Sequence, residues 1–327
     1  MRKRVLSGMR PTGRLHLGNY HGALENWVKI QDDYECFFFI ADWHALTTDY
    51  DDTSNVKENR VEIMLDWLAA GLDPAKSTLF VQSWVKQHAE LFLLLSMITP
   101  LPWLERVPTY KDQINQLNHK DLLTYGFLGY PLLQAADIII YRPQYVPVGV
   151  DQVPHVEITR EVARRFNFIF KQDVFPEPES LLTKTPKILG LDRRKMSKSY
   201  GNAIMLSDSE KEIMTKVSQM ITDPERIKKT DPGHPEICNV FDFHKIYSTT
   251  DEVCEIESAC RKGEIGCVAC KKQMGANLNA RLTPIRERRE YYANNLSLVE
   301  EIMLAGSAKA RAEAEETMIF VRDAVKI

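Results

Sequence analysis

Residues 36–41 read C-F-F-F-I-A, six apolar residues without a break. A strand with one wet face alternates apolar and polar residues. A strand buried on both faces need not, and that is the situation inside a parallel sheet. Upstream, residues 20–31 carry Ala23, Leu24, Trp27, Val28 and Ile30 at helical spacing. Downstream, Thr53 or Ser54 can cap a helix over about 56–70, with Gly71 as its stop. Further strands are expected at 4–8 and 78–82, and a mostly apolar helix over 88–99. This alternation predicts an α/β fold with a doubly wound, Rossmann-type parallel sheet.

After about residue 200 the strand pattern stops. Helices are expected over 210–220, 240–248, 271–294, 297–304 and 308–325. The pattern changes near 185–200, which divides the chain into an α/β part, 1–195, and an all-helical part, 196–327, with the last helix able to pack back on the first part. No repeat and no low-complexity linker interrupts either part.

The 327 residues are 44% apolar and 27% charged, enough to build a sizeable core and unlike a disordered chain. Lys plus Arg is 42 and Asp plus Glu is 45, a net charge of −3, which excludes a globally basic nucleic-acid coat but not a local patch. The longest uncharged apolar stretch, 91–104, is interrupted by Pro100 and Pro102 and is shorter than the ~20 residues of a membrane span. The basic start reaches Arg10 before any signal-peptide core could form, so a cytoplasmic protein is expected.

Two short stretches carry the chemistry. The first, T-G-R-L-H-L-G-N-Y at 12–20, lies between a strand and a helix start. Gly13 and Gly18 allow a tight turn and close backbone approach, and a helix N-terminus with His16 and Asn19 beside it is suited to phosphate. An ordinary turn capped by Asn19 is the simpler alternative. The second, R-R-K-M-S-K-S at 193–199, holds four cations and two hydroxyls, followed by Tyr200, Gly201 and Asn202. A cationic loop of this kind suits a triphosphate, and a solvated basic linker would look similar.

Taken together, H-L-G-N at 16–19 and K-M-S-K-S at 195–199 resemble the paired motifs of the class I aminoacyl-tRNA synthetases. K-M-S-K-S matches letter for letter, whereas Leu17 and Asn19 depart from the H-I-G-H form. Three further stretches resemble the tryptophanyl-tRNA synthetases: S-G-M-R-P-T-G at 7–13, Y-P-L-L-Q-A-A-D-I-I-I-Y at 130–141, and V-P-V-G-V-D-Q-V-P-H-V-E-I-T-R-E-V-A-R-R-F-N at 146–167. The resemblance spans nearly the whole chain. It implies activation of L-tryptophan with ATP and Mg2+, then transfer to the terminal adenosine of tRNA(Trp). No enzyme nucleophile is needed, in keeping with the lack of a convincing Ser/His/Asp or Cys/His set.

The resemblance also implies residue roles. His16, Asn19, Lys195, Ser197 and Lys198 would stabilise the reacting phosphates. Arg10, Thr12, Gly18, Lys111, Gly149, Asp151 and Met196 would contact ATP, although Arg10 stands where the family more usually has Gln. Leu6, His44, Tyr130, Gln134, Asp137 and Gln152 would form the tryptophan pocket, with Leu6 and Gln134 in place of the commoner Phe and Met. Tyr130, Leu133, Gln134 and Asp137 fall on one helix face, and Asp137 could accept the indole N–H. A salt bridge is the alternative for Asp137, a backbone-satisfied core position for His44, and a helix cap for Asp151.

Five of the six cysteines, at 238, 254, 260, 267 and 270, fall in one late window, and the sixth, Cys36, lies inside an apolar strand. In a reducing compartment such a cluster favours metal over disulfides. Cys260, Cys267 and Cys270 read C-x6-C-x2-C, and spacing alone does not choose between zinc and an iron–sulfur cluster. By resemblance to a subgroup of tryptophanyl-tRNA synthetases, Cys238, Cys260, Cys267 and Cys270 would hold a 4Fe–4S cluster. The gap after Cys238 is one residue short of that pattern, which leaves Cys254 as a competitor. Residues 261–289 carry eight Lys/Arg and two Glu, a patch that could face RNA or be one solvated helix face. The family implies a homodimer. Two rival readings are the tyrosyl analogue and a synthetase-like RNA-binding paralogue.

Overall fold

The computed structural model describes residues 2–108, 110–111, 122–182, 188–228 and 230–327. Five parallel strands, β1 (Arg4–Met9), β2 (Glu35–Ile40), β3 (Ser77–Val81), β4 (Tyr145–Val148) and β5 (Glu179–Leu182), form one sheet in the order β3-β2-β1-β4-β5. β2 runs beside β1 in the register Val5↔Cys36 to Met9↔Ile40, and five of its six residues are buried. That is the environment its unbroken apolar run predicts. β4 and β5 were not expected. Each has four residues, β4 contains Pro147, and β5 is part-exposed, so neither shows an apolar run or clean alternation.

Helical segments cover both faces. Leu17–Asn19, the π-helical turn Tyr20–Leu24 and Glu25–Ile30 together form α1. α2 (Val56–Ala70) stops at Gly71 with φ 114°, as expected. Its start differs from the reading: Asn55 is the cap residue and makes no side-chain cap bond, and Ser54 bonds Asp52 instead. α3 (Gln87–Ser96), α4 (Tyr130–Ile139) and α5 (Val153–Phe170) follow.

The second half is helical: α6 (Glu210–Ser218), α7 (Asn239–Tyr247), α8 (Thr250–Arg261), α9 (Cys267–Ala293) and α10 (Leu296–Val325). α8 was missed, although Thr249 and Glu252 form a capping box at its start. α10 is continuous where two helices were expected. Gly306 does not break it; a Cβ there would collide with the Leu79 carbonyl, so glycine lets the helix lie directly on β3.

One hydrophobic cluster joins Val5, Trp27, Phe38 and Trp67 on one sheet face to Met274, Leu278 and Leu282 of α9. A second joins Phe37, Phe39, Phe80, Ile138 and Phe166 on the other face to Met318 and Val321 of α10. The helical half is thus built onto both faces of the sheet. No helix among the described residues is long and apolar enough to cross a membrane.

Candidate active site

The C-terminal ends of β1, β2 and β4 open into a cleft of about 1280 Å³, where ligands bind in open α/β sheets. On one wall lies the first motif. His16 caps the first helical turn: its Nδ1 accepts from the Asn19 N–H at 3.2 Å, while Asn19 Oδ1 accepts from the His16 N–H at 3.1 Å. With Nδ1 accepting, the ring proton sits on Nε2, leaving a neutral donor. Burial, with Lys198 and Lys195 nearby, pushes the His16 pKa down to about 4. Gly18 has no side chain because a Cβ would meet the His16 ring at 3.0 Å.

The second motif is strapped onto the first. Leu17 N–H donates to Ile204 O and Leu206 N–H to Leu15 O, both at 2.9 Å, so residues 204–206 pair antiparallel with 15–17. The Lys198 ammonium donates to the carbonyls of Thr12 and, at 3.1 Å, Arg14. Burial lowers its pKa. Ser197 donates its N–H to Asn202 Oδ1 at 2.8 Å. Arg194 is paired with Asp192 at 2.6 Å and lies over the Tyr200 ring, so it is occupied. Lys195, Met196 and Ser197 line the cleft, and no carboxylate pairs with Lys195 among the described residues.

Asp66 secures the turn from beneath. It is fully buried, accepts from the Leu15 N–H at 2.6 Å and pairs with Arg289 of α9 at 2.7 Å. Burial raises its pKa despite Arg289. Arg289 also meets Glu62, Arg288 donates to Ala69 O, and Arg286 donates to Asn279 Oδ1. Three cations of the expected basic patch therefore tie α9 together or to α2. The part of the patch left for solvent is correspondingly smaller.

At the other end, Leu6, His44, Tyr130, Gln134 and Gln152 line the cleft. Asp137 does not. It is fully buried, and its carboxylate accepts from His44 Nε2 at 2.8 Å, His88 Nδ1 at 2.5 Å and Gln82 Nε2 at 2.8 and 2.7 Å. Those contacts use its acceptor capacity. A direct bond to a ligand would have to displace one of them, so Asp137 meets the cleft through His44. Burial pushes the Asp137 pKa up, but the His44 and His88 contacts outweigh it and the carboxyl lies below its ordinary value. Gln82 Oε1 also accepts from Trp43 N–H at 3.0 Å, and the Tyr141 hydroxyl donates to His88 Nε2 at 2.7 Å.

Gly149, Asp151 and Arg10 line the remaining wall. A Cβ at Gly149 would stand 2.7 Å from Asp151 Oδ1. Asp151 is exposed, accepts from Gln152 Nε2 at 3.0 Å, and does not cap α5, whose cap residue is Gln152. Arg10 pairs with Asp49 at 3.0 Å. Thr12 and Lys198 sit just outside the lining, at the clasp, and the exposed Lys111 is not part of the lining.

Sequence reading missed Gln82, His88, Asp66 and Asn202. Gln82 had a signal: it directly follows β3, at the C-terminal end of a sheet strand, where ligands bind in open α/β sheets. The others act through contacts distant in sequence and left no local pattern.

Cys238, Cys260, Cys267 and Cys270 gather beneath the second motif. Cys238 and Cys270 are buried, while Cys254 is exposed. Burial, then the adjacent Cys238, Cys260 and Cys267, push the Cys270 thiol up to about 12. The Arg226 guanidinium lies 3.8 Å from Cys260 Sγ and 4.0 Å from Cys267 Sγ. Among the described residues these sulfurs do not form a group within 4.8 Å of one another; Asp223, Glu225 and His234 do.

The family model for class I tRNA synthetases (W and Y) matches residues 1–283. The tryptophan--tRNA ligase of Thermotoga maritima is 52% identical, with 99% of each chain covered. That of Aquifex aeolicus is 47% identical over 99% of this chain and 100% of its own. Among solved structures, the tryptophanyl-tRNA synthetase of Campylobacter jejuni, complexed with ADP and tryptophan, has a TM-score of 0.90 at 35% identity and covers 99% of this chain and 100% of its own. A cleft that joins the two motifs on one sheet edge and a family match that runs through both agree: the chain belongs to the class I tRNA synthetases of the tryptophan and tyrosine family.

Proposed function

We infer that the chain is a tryptophan--tRNA ligase, which activates L-tryptophan with MgATP and transfers it to the 3′-terminal adenosine of tRNA(Trp). One observation carries the reading: Lys198 of K-M-S-K-S is seated on the Thr12–Arg14 turn of the first motif, so both open on one cleft. The tryptophan carboxylate attacks the α-phosphorus, pyrophosphate leaves, and the adenylate passes its acyl group to the tRNA, first on the 2′-hydroxyl. Catalysis is positioning and charge stabilisation. His16 offers a neutral donor. Asn19, Lys195, Ser197 and Lys198 receive charge as it moves onto pyrophosphate.

Arg10, Thr12, Gly18, Lys111, Gly149, Asp151 and Met196 are assigned to ATP, with Gly149 and Asp151 at the ribose. Leu6, Tyr130, Gln134 and Gln152 hold tryptophan. His44 presents the polar end of that pocket, and Asp137 fixes His44 from behind. Residues 1–195, with the rest of K-M-S-K-S at 196–199, carry the chemistry, and the helical remainder of 196–327 faces the anticodon side of the tRNA. The protein works in the cytoplasm as a homodimer.

The cysteine set fits a metal group on its own chemistry: four neighbouring thiols, two of them buried, would repel as thiolates, and the Arg226 guanidinium beside Cys260 and Cys267 offsets only part of that. The C-x6-C-x2-C run and its resemblance to the iron–sulfur subgroup support a 4Fe–4S cluster on Cys238, Cys260, Cys267 and Cys270, with zinc as the alternative. The exposed Cys254 is left out. Such a cluster would act structurally, bracing the α7, α8 and α9 junction.

The test is ATP–pyrophosphate exchange with tryptophan and tyrosine supplied separately, and an iron, sulfide and zinc assay on the same preparation. Exchange with tryptophan alone is expected. Exchange with tyrosine alone would reassign the pocket, and none with either would favour the RNA-binding paralogue. Lys198→Ala should lower the exchange rate by about 10²–10³.

A further inference from the structure

The K-M-S-K-S loop holds its shape through side chains that the reaction does not use. Asn202, nearly fully buried, accepts from the Ser197 N–H at 2.8 Å and donates to Lys195 O at 3.2 Å and Asp192 Oδ1 at 2.7 Å. Its amide rests on Gly190, where any Cβ would collide with it. The carbonyls of that same turn are held from outside the loop. Asn239, the first residue of α7 and fully buried, donates Nδ2 to Gly190 O at 2.8 Å and to Leu191 O at 3.4 Å.

The cost of this arrangement is visible. Among the described residues, Asn239 Oδ1 is buried with no hydrogen-bond partner. An orphan buried acceptor calls for an explanation, and an apolar residue would remove it. Flipping the amide would not help, because both carbonyls require a donor. The neighbouring residue gives independent support. Arg193 opens the loop with φ 63°, unusual for a residue with a side chain, and its guanidinium donates to Ile237 O and lies 3.7 Å from Asp242. Residues 237 and 239 therefore grip the loop on both sides of Cys238.

We propose that Asn239 is a positioning residue for adenylate formation, setting the height of K-M-S-K-S through the 190–191 turn and Asn202. The proposal rests on reading that loop as the ATP-phosphate loop. Asn239 does not line the cleft. Its contacts run to the 190–191 turn and thence to K-M-S-K-S, away from Tyr130 and Gln134, so it is expected to affect ATP and not tryptophan.

The experiment uses the full chain with its metal as purified. Asn239→Ala, Asn202→Ala and the double variant are compared in pyrophosphate exchange, tryptophan binding at equilibrium, and hydrogen exchange over 190–201. Asn239→Ala should lower kcat/KM for ATP about 10- to 100-fold. Tryptophan affinity should stay within about twofold, with faster hydrogen exchange confined to 190–201. Because both residues act in one chain of contacts, the double variant should lose less than the product of the two single losses. Wild-type ATP kinetics in Asn239→Ala, or equal losses for ATP and tryptophan with faster hydrogen exchange throughout, would overturn the proposal. Should Asn239→Ala not fold, Asn239→Leu keeps about the same shape with no donor and no orphan acceptor, and the same results decide. If the wild type shows no tryptophan-dependent exchange, the ligase reading fails instead, while hydrogen exchange still reports whether Asn239 holds the loop.

Discussion

At Asp137 a buried carboxylate meets the side chains of His44, His88 and Gln82, whereas the buried Cys270 thiol lies 3.4 Å from His244 Nε2 of α7 and is raised in pKa by Cys238, Cys260 and Cys267. In the first cluster each contact favours the charged form, and the carboxyl ends below its ordinary pKa in spite of burial. In the second, burial and neighbours of the same kind act in one direction and raise the thiol to about 12. The Asp137 cluster is complete in the chain itself. The cysteine cluster has one cation of its own, the Arg226 guanidinium beside Cys260 and Cys267, and a bound metal would supply the rest. A polar group closed on itself belongs to the folded scaffold, and one left open marks where the chain expects a partner.

Four substitutions and a titration can break or sharpen that contrast. Asp137→Ala should have the largest effect, because it strands the buried donors of His88 and Gln82 and the half-buried one of His44. A loss of about 3–5 kcal/mol is expected in urea unfolding, the same with or without chelator. Stripping the cysteine cluster should come next. A group bound at a hundredfold excess over its Kd contributes about 2.7 kcal/mol, so chelation should lower Tm in the wild type and leave Cys270→Ser unchanged. A chelator effect of equal size in Cys270→Ser would place the metal elsewhere, the Asp223, Glu225 and His234 group being the obvious candidate.

The titration concerns histidines that the cleft keeps neutral. Burial pushes His16 and His155, the latter in the first turn of α5 and also lining the cleft, each to about 4. An unfolded histidine titrates near ~6.5, so between ~6.5 and about 4 the unfolded chain binds protons that the folded chain refuses. Stability should therefore fall as pH falls through that window, and His155→Asn should flatten the slope. Phosphate handling by neutral His16 should persist at pH 5.5. Last, Cys254→Ser should change stability by less than about 0.5 kcal/mol and leave the metal content intact, since Cys254 is exposed and outside the cluster.

Much of this was legible in the sequence where a local pattern suffices. β2 announced itself as an apolar run, β1 and β3 by their place in the strand–helix alternation, and Gly71 as a helix stop. The two motifs were visible as glycine and cation spacings. β4 and β5 were not, because Pro147 and part-exposed residues erase the period. α10 was read as two helices because Gly306 resembles a break until the Leu79 carbonyl beneath it is seen. Asp137 was singled out by its helix face, but its partners lie on other elements, so its dependence on Gln82 and His88 could not be read. Asn202 and Asn239 look like ordinary turn and cap residues; only the folded chain puts one above Gly190 and the other below.

The seat of α10 on β3 has a further consequence for synthesis. β3 ends the sheet, and α10 closes that end: the Val81 N–H donates to the Ser307 hydroxyl at 3.2 Å, and Gly306 abuts Leu79. Until α10 arrives, this row of backbone groups can pair with any other strand. Roughly 10–40 s separate β3 from α10 at translation speeds of about 5–20 residues per second. A nascent chain therefore carries an open sheet edge through most of its time on the ribosome. Chaperone demand should fall sharply once residues 296–325 have emerged.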